Sequence, residues 1–171
     1  NLLNIICAIA MILIPVALHP VVKKQLNSLA IGYTIFRALE GGLFFFIAIK
    51  TLSLPGISKL YLAATANKSM SLVIAEAVKA EIEWATLLYL IAYCCGALFF
   101  YSLLYKSKLI PRWLSVWGLL GVILLAIGPA LFVSGWGIFK NKPLMEGMLF
   151  FAPPIALNEF VLSFWLLKKG F

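Results

Sequence analysis

The sequence predicts an all-α integral membrane protein, built as one polytopic bundle of about five transmembrane helices. Three observations indicate this class: 64% of the 171 residues are hydrophobic, only 12% are charged, and the mean hydropathy is +1.06. A single soluble domain of this length could not bury so much apolar surface, so lipid must solvate much of it. A membrane barrel is not favoured, because it would show alternating segments of about ten residues.

Five apolar segments are long enough to cross the hydrocarbon layer, which requires about 20 residues at about 1.5 Å each. His19-Pro20 predicts the end of the first segment, Asn27 is an N-cap candidate for the second, and Pro111 precedes the fourth. Pro153-Pro154 falls in the first half of the fifth. The predicted spans are about 2–18, 28–49, 84–105, 113–132 and 144–167, within a single domain that covers 1–171.

A longer and more polar interval, about 51–83, separates the second and third predicted spans. Pro55-Gly56 is typical of a turn. From Met70 onward, Glu76, Lys79 and Glu83 recur at spacings of three and four, which predicts an amphipathic helix that leads directly into the third span. This helix is expected either to extend the span beyond the bilayer or to rest on the membrane surface.

Basic residues predict the orientation, because short loops rich in Lys and Arg are retained in the cytoplasm. Two predicted loops and the C-terminal tail carry basic residues and no acid: Lys23 and Lys24; Lys106, Lys108 and Arg112; Lys168 and Lys169. These three segments are therefore predicted to be cytoplasmic. The net charge of +8 then follows from topology and from contact with anionic headgroups. Membrane lipids are the expected partners, and nucleic acid is not.

Ionisable residues at depth in a membrane are costly and often mark functional sites. Arg37 lies 13 residues from both Lys24 and Lys50, or about 20 Å from either end of the second span. Glu40 follows one turn later on the same face. Glu159 precedes Lys168 by nine residues, or roughly 13 Å. All three side chains are predicted to lie within the hydrocarbon region.

Four further residues are candidates for the same polar cavity. Tyr33 extends the stripe of Arg37 and Glu40, and Asn158 adjoins Glu159. Tyr89 and Tyr93 are four residues apart on the third span, where packing or an interfacial position is the alternative interpretation. Pairs of small residues, such as Gly41 and Gly42, are predicted to allow close helix contacts. The candidate binding residues are Arg37, Glu40, Glu159, Asn158, Tyr33, Tyr89 and Tyr93.

Two interpretations of this cluster remain open. In the functional one, Arg37 holds an anionic or carbonyl-bearing ligand while Glu40 or Glu159 handles a proton or cation. In the structural one, Arg37 bridges both carboxylates and locks two helices together. Two Glu and one Arg leave a surplus negative charge, which favours a protonated Glu, a bound cation or a charged partner.

Three stretches of the sequence resemble a known family. Residues 101–121, YSLLYKSKLIPRWLSVWGLLG, are similar to the run that joins two helices in the bacterial membrane proteins classed as domain of unknown function 4386. Residues 36–40, FRALE, and the end of the chain from ALNE at 156–159 are similar to that family's polar helix and last helix. The resemblance implies a bacterial inner-membrane protein with six helices, the first of them upstream of Asn1. It implies no activity.

Three classes of function are compatible with the sequence. The first is a protein that binds or transports a small molecule, lipid or proton through the Arg37 cluster. The second is an accessory or structural subunit that packs on other membrane subunits or on itself. The third is an intramembrane lipid-modifying enzyme, which ranks last because isoprenoid chemistry needs acidic clusters and the chain contains no Asp. No catalytic residue, metal site or cofactor is predicted, since zinc and nucleotide motifs are absent from the sequence.

Overall fold

The computed structural model describes residues 2–63, 68–134 and 150–169. These ranges fold into five helices and contain no strand, so the predicted all-α class is confirmed. The helices are α1 (Leu2–Val22), α2 (Asn27–Ala63), α3 (Lys68–Ser107), α4 (Arg112–Ser134) and α5 (Pro153–Lys169).

Four of these helices, α1 to α4, are long and apolar enough to cross a membrane. Their outward surfaces carry large apolar side chains that water would not solvate, among them Leu13, Ile35 and Leu120. The fifth helix has 17 described residues, just under the length that a full crossing requires. The start predicted for it, 144–149, lies outside the described residues.

Two predicted helix ends were wrong at proline residues. The first helix does not stop at His19-Pro20 but continues to Val22, because Pro20 removes only its own N–H bond and later amides still bond along the helix. The last helix is not continuous through Pro153-Pro154: residues 150–152 form a turn, and α5 begins at Pro153, so both prolines lie in its first turn. Proline is favoured there because a first-turn N–H needs no helical acceptor.

The largest error concerns the interval between the second and third spans, which is mostly helical. Helix α2 passes through Pro55-Gly56 without a turn and reaches Ala63, and α3 begins at Lys68. The predicted amphipathic helix is therefore the first part of α3 itself. Contacts along the two antiparallel helices, including the Lys50–Glu81 ion pair, outweigh the local turn signal.

This paired segment extends beyond the membrane interior. A helix of 37 or 40 residues is about 55–60 Å long, whereas the hydrocarbon layer is about 30 Å thick. We call residues 50–63 of α2 and 68–83 of α3 the hairpin extension. At its end, the Lys68 ammonium group lies 5.8 Å from the centre of the Tyr61 ring.

Each helix packs mainly on its neighbour in sequence, in the order α1, α2, α3, α4, α5, and the α2–α3 interface is the most extensive. The main core lies where α2, α3 and α4 meet, and α5 contributes Ile155 and Leu162 to it. Helix α5 packs chiefly on α4. The polar cluster lies where Glu159 of α5 approaches Tyr93 of α3 and Arg37 of α2.

Candidate binding site around Arg37

Helix α2 presents Tyr33, Arg37 and Glu40 on one face, because spacings of four and three residues return to the same side of a helix. Arg37 Nη1 donates hydrogen bonds to both carboxylate oxygens of Glu40, at 2.9 and 3.0 Å. Glu40 is 0% exposed. The pair is therefore a closed, charge-assisted contact within one helix.

The surroundings of Glu40 are tightly packed. Gly41, the next residue, lets α1 approach closely, since a Cβ atom added there would lie 2.5 Å from Ile12 Cγ1. Farther along the α2–α3 interface, Gly96 has the same role: an added Cβ would lie 3.2 Å from Phe36 Cβ. Side-chain-free positions on both sides of α2 thus allow α1 and α3 to enclose this stretch of the helix.

Glu159 reaches the cluster from α5 and is held differently. Its Oε1 accepts a hydrogen bond of 2.7 Å from the Tyr93 hydroxyl of α3. Arg37 Nη2 lies 3.9 Å from the same oxygen, which is longer than a hydrogen bond. The Glu159 side chain is 42% exposed, compared with 19% for Arg37. This carboxylate therefore lies at an opening of the bundle.

Two tyrosine rings hold the guanidinium group between them. The Arg37 Cζ atom lies 5.8 Å from the centre of the Tyr33 ring and 5.5 Å from that of Tyr93. Such cation–π contacts strengthen when water is excluded. Tyr33 is itself fixed by stacking on Phe100, with ring centres 4.6 Å apart. The aromatic groups therefore restrict the position of Arg37 even where its contact with Glu159 is long.

The structure brings most of the sequence-predicted site residues together and leaves two at the border. The Tyr89 ring packs on Phe44, with centres 5.7 Å apart, on the side of Glu40 rather than against the guanidinium group. Asn158 turns towards α4, where its Nδ2 donates to the Leu114 carbonyl at 2.9 Å. The residues in direct contact are Tyr33, Arg37, Glu40, Tyr93 and Glu159.

Sequence reasoning did not single out Tyr101 and Ser115, two buried polar residues next to this cluster. Tyr101 is 1% exposed and Ser115 is 0% exposed. The Tyr101 ring packs closely on Gly118 of α4. Its position about two turns after Tyr93 was the available signal, but the same spacing fits an interfacial tyrosine.

The fold and the position of these polar groups define a multi-pass helical membrane protein. The family model described as Domain of unknown function (DUF4386) matches residues 1–170, and the chain therefore belongs to this family. The resemblance in the sequence is confirmed. No curated protein and no solved structure matches the chain.

Proposed function

We propose that this protein binds or transports a small anionic or carbonyl-bearing molecule, or a lipid with such a headgroup, together with a proton or cation at Glu159. One observation carries the proposal: Arg37 Nη1 bonds both carboxylate oxygens of Glu40, whereas Glu159 is 42% exposed and makes only a 3.9 Å contact with Arg37 Nη2. The cluster is therefore not a complete three-residue ion bridge.

The distribution of charge supports this assignment. The Arg37 and Glu40 charges cancel within the closed pair, so the surplus negative charge of the cluster resides on Glu159. An uncompensated carboxylate in hydrocarbon is costly and favours a proton or a cation. The Tyr93 hydroxyl remains a hydrogen-bonding partner of Glu159 whether or not the carboxyl group carries a proton, because a hydroxyl both donates and accepts.

The same geometry gives Arg37 a second role. When Glu159 is neutral, its attraction for the guanidinium group falls, and the Nη2 side of Arg37 faces the opening with its positive charge less screened. A ligand carboxylate, phosphate or carbonyl oxygen would then replace Glu159 as the partner. Binding of such a ligand would be coupled to uptake of one positive charge by Glu159.

The proposal places the site in a bacterial inner membrane, with the C-terminus in the cytoplasm. Support comes from the acid-free basic segments next to the ends of α1, α3 and α5. Cysteine labelling with a membrane-impermeant reagent tests it: single cysteines at Lys59 and Lys168 should react from opposite sides. Labelling of both from one side would contradict the topology.

Infrared difference spectroscopy across a pH titration tests the role of Glu159. We expect the carboxyl-stretch difference spectrum of the wild type to contain one component that is lost in Glu159→Gln and retained in Glu40→Gln. Glu81→Gln is the matched control for an exposed carboxyl group on the hairpin extension. A spectrum for Glu159→Gln identical to that of the wild type, in a bundle that remains folded, would remove the proposal and leave the structural interpretation.

The companion ion can be identified in the same experiment. At constant pH, raising the Na⁺ concentration should leave the Glu159 band unchanged if the site takes a proton, and should suppress it if Na⁺ competes. Either result is compatible with charge binding at Glu159. An Arg37→Leu variant with the same ion dependence as the wild type would show that Arg37 takes no part.

A further inference from the structure

Three buried polar atoms have no hydrogen-bonding partner among the described residues. They are the Tyr101 hydroxyl of α3, Ser115 Oγ of α4 and Asn158 Oδ1 of α5. The three residues are at most 1% exposed. Buried polar atoms in folded proteins are nearly always bonded to protein or ordered water, and leaving one unpaired costs about 1–3 kcal/mol.

These atoms belong to one place in the fold, around the first two turns of α4. Asn158 donates to the carbonyl of Leu114, the residue before Ser115. The Tyr101 ring covers Gly118, one turn beyond Ser115, so closely that an added Cβ would overlap it. Each of three helices therefore directs one orphaned polar group to the same part of the α3–α4–α5 interface.

The orientation of the Asn158 amide is determined by its partner. A backbone carbonyl can only accept a hydrogen bond, so the atom that faces Leu114 must be the amide nitrogen. The opposite atom is then an acceptor, and it needs a donor that none of the described residues supplies. The two other orphaned groups, the hydroxyl groups of Tyr101 and Ser115, can each donate or accept, and both residues lie beside or within the same turns of α4.

We propose that ordered water binds between α3, α4 and α5, held by Tyr101, Ser115 and Asn158. A buried water molecule usually makes about three hydrogen bonds. Here it donates to Asn158 Oδ1 and exchanges hydrogen bonds with the hydroxyl groups of Tyr101 and Ser115. Water suits this set, because it can donate a hydrogen bond to Asn158 Oδ1 and can either donate to or accept from each of the two hydroxyl groups.

The proposed water site lies close in the chain to Glu159. Asn158, which holds the water through its Oδ1 atom, directly precedes Glu159 in α5. Tyr101 and Ser115 lie only about 9 Å and 5 Å, by helical rise, from the ends of α3 and α4 at their short connection. A proton that reached Glu159 from that end of the bundle would pass close to this water, because Asn158 and Glu159 are adjacent in α5. This consequence, unlike the water site itself, rests on the proposed function.

Radiolytic hydroxyl labelling in H₂¹⁸O tests the water site, since radicals formed from bound water oxidise side chains that bulk solvent does not reach. We expect Tyr101 to be labelled despite its 1% exposure, whereas Phe100, which is 8% exposed, stays unlabelled. Ser115→Ala, which removes one partner, should reduce the label on Tyr101 several-fold. An unlabelled Tyr101 in the folded wild type overturns the proposal.

A second measurement uses the sign of a change in Tm. If Tyr101 were truly unpaired, Tyr101→Phe would raise Tm, because it removes a buried polar atom that nothing satisfies. A hydrated hydroxyl predicts a lower Tm instead. Tyr105→Phe, at a 39% exposed position near the end of α3, is the matched control and should leave Tm unchanged. A rise in Tm for Tyr101→Phe alone would overturn the water site, and the result is independent of whether Glu159 titrates.

Discussion

The two carboxylates next to Arg37, those of Glu40 and Glu159, differ in how tightly they are packed and in how closely they contact the guanidinium group. On one side, Glu40 is 0% exposed, takes both of its hydrogen bonds from one guanidinium nitrogen, and lies where α1 approaches α2 closely. On the other side, Glu159 is 42% exposed and extends from a helix that packs chiefly on α4. The Arg37 guanidinium group therefore has one buried carboxylate partner, Glu40, and one partly exposed carboxylate partner, Glu159.

This difference distinguishes a carboxylate that stabilises the fold from one that is free to exchange its partner. A buried ion pair whose geometry is complete offers no vacancy to a ligand, and removing one partner mainly destabilises the fold. A partly exposed carboxylate with one hydrogen bond and one long electrostatic contact can change its protonation or its partner without unfolding the protein. On the proposed function, Glu40 belongs to the scaffold and Glu159 to the binding site.

The largest expected effect is that of Arg37→Leu. The substitution leaves Glu40 buried without its partner, and breaking a buried pair in this way costs about 3–5 kcal/mol of stability. We expect a clear fall in Tm in detergent, measured by thermal unfolding with far-ultraviolet circular dichroism. Equal Tm values for the wild type and Arg37→Leu would contradict a stabilising role for the buried Arg37–Glu40 pair.

Arg37→Lys sharpens that result. Because one nitrogen makes both contacts with Glu40, an ammonium group can retain part of the pair, although it lacks the second nitrogen that approaches Glu159. Tm should therefore recover part of the loss seen with Leu. A Lys variant as unstable as the Leu variant would mean that the planar guanidinium between Tyr33 and Tyr93, rather than its charge, supports the fold.

A smaller effect is expected from two adjacent glycines on the closed side. Gly41→Ala brings a Cβ atom to 2.5 Å from Ile12 Cγ1 and forces α1 to shift, which costs about 1–3 kcal/mol. Gly42→Ala meets nothing within 4 Å and should stabilise the helix by about 0.5–1 kcal/mol. Thermal unfolding of both variants checks the pair, and a fall in Tm for Gly42→Ala as large as that for Gly41→Ala would argue against tight packing at α1.

The smallest effect is expected in the hairpin extension. The Lys50 and Glu81 side chains are 31% and 49% exposed, and exposed ion pairs contribute about 0–1 kcal/mol. Lys50→Ala should therefore change Tm slightly, and the change should shrink as salt is added. A loss comparable to that of Arg37→Leu would show that the ion pair lies in lipid rather than at the water interface.

The pairing of Arg37 with Glu40 was predictable from their three-residue spacing on one helix, whereas the partner of Asn158 was not. Counting residues from the flanking lysines predicts that Arg37, Glu40 and Glu159 lie within the spans, because helical rise converts sequence distance into depth. Which way Asn158 points depends on how α5 rotates against α4. That rotation follows from the packing of Gly121 against Ile155, a contact between distant parts of the chain.

The hairpin extension is a second case in which contacts between distant parts of the chain, rather than local sequence, determine the structure. Pro55-Gly56 carries a turn signal, yet contacts with α3 keep α2 helical as far as Ala63. Local propensity is a weak guide where two long helices can pair. The amphipathic pattern after Met70 was identified correctly as a helix that leads directly into the third span, but its pairing with a continuous α2 was not predicted.

The continuity of α2 and α3 makes the hairpin extension a lever arm. Arg37 and Tyr93 lie on the same helices as its tip, and each is separated from the end of its helix by about 38 Å of helical rise. A tilt of about 10° at the level of Arg37 would move the tip by roughly 7 Å, on the same helical geometry. Conversely, a force applied at the tip is transmitted along α2 and α3 as torque on the two groups that contact Glu159.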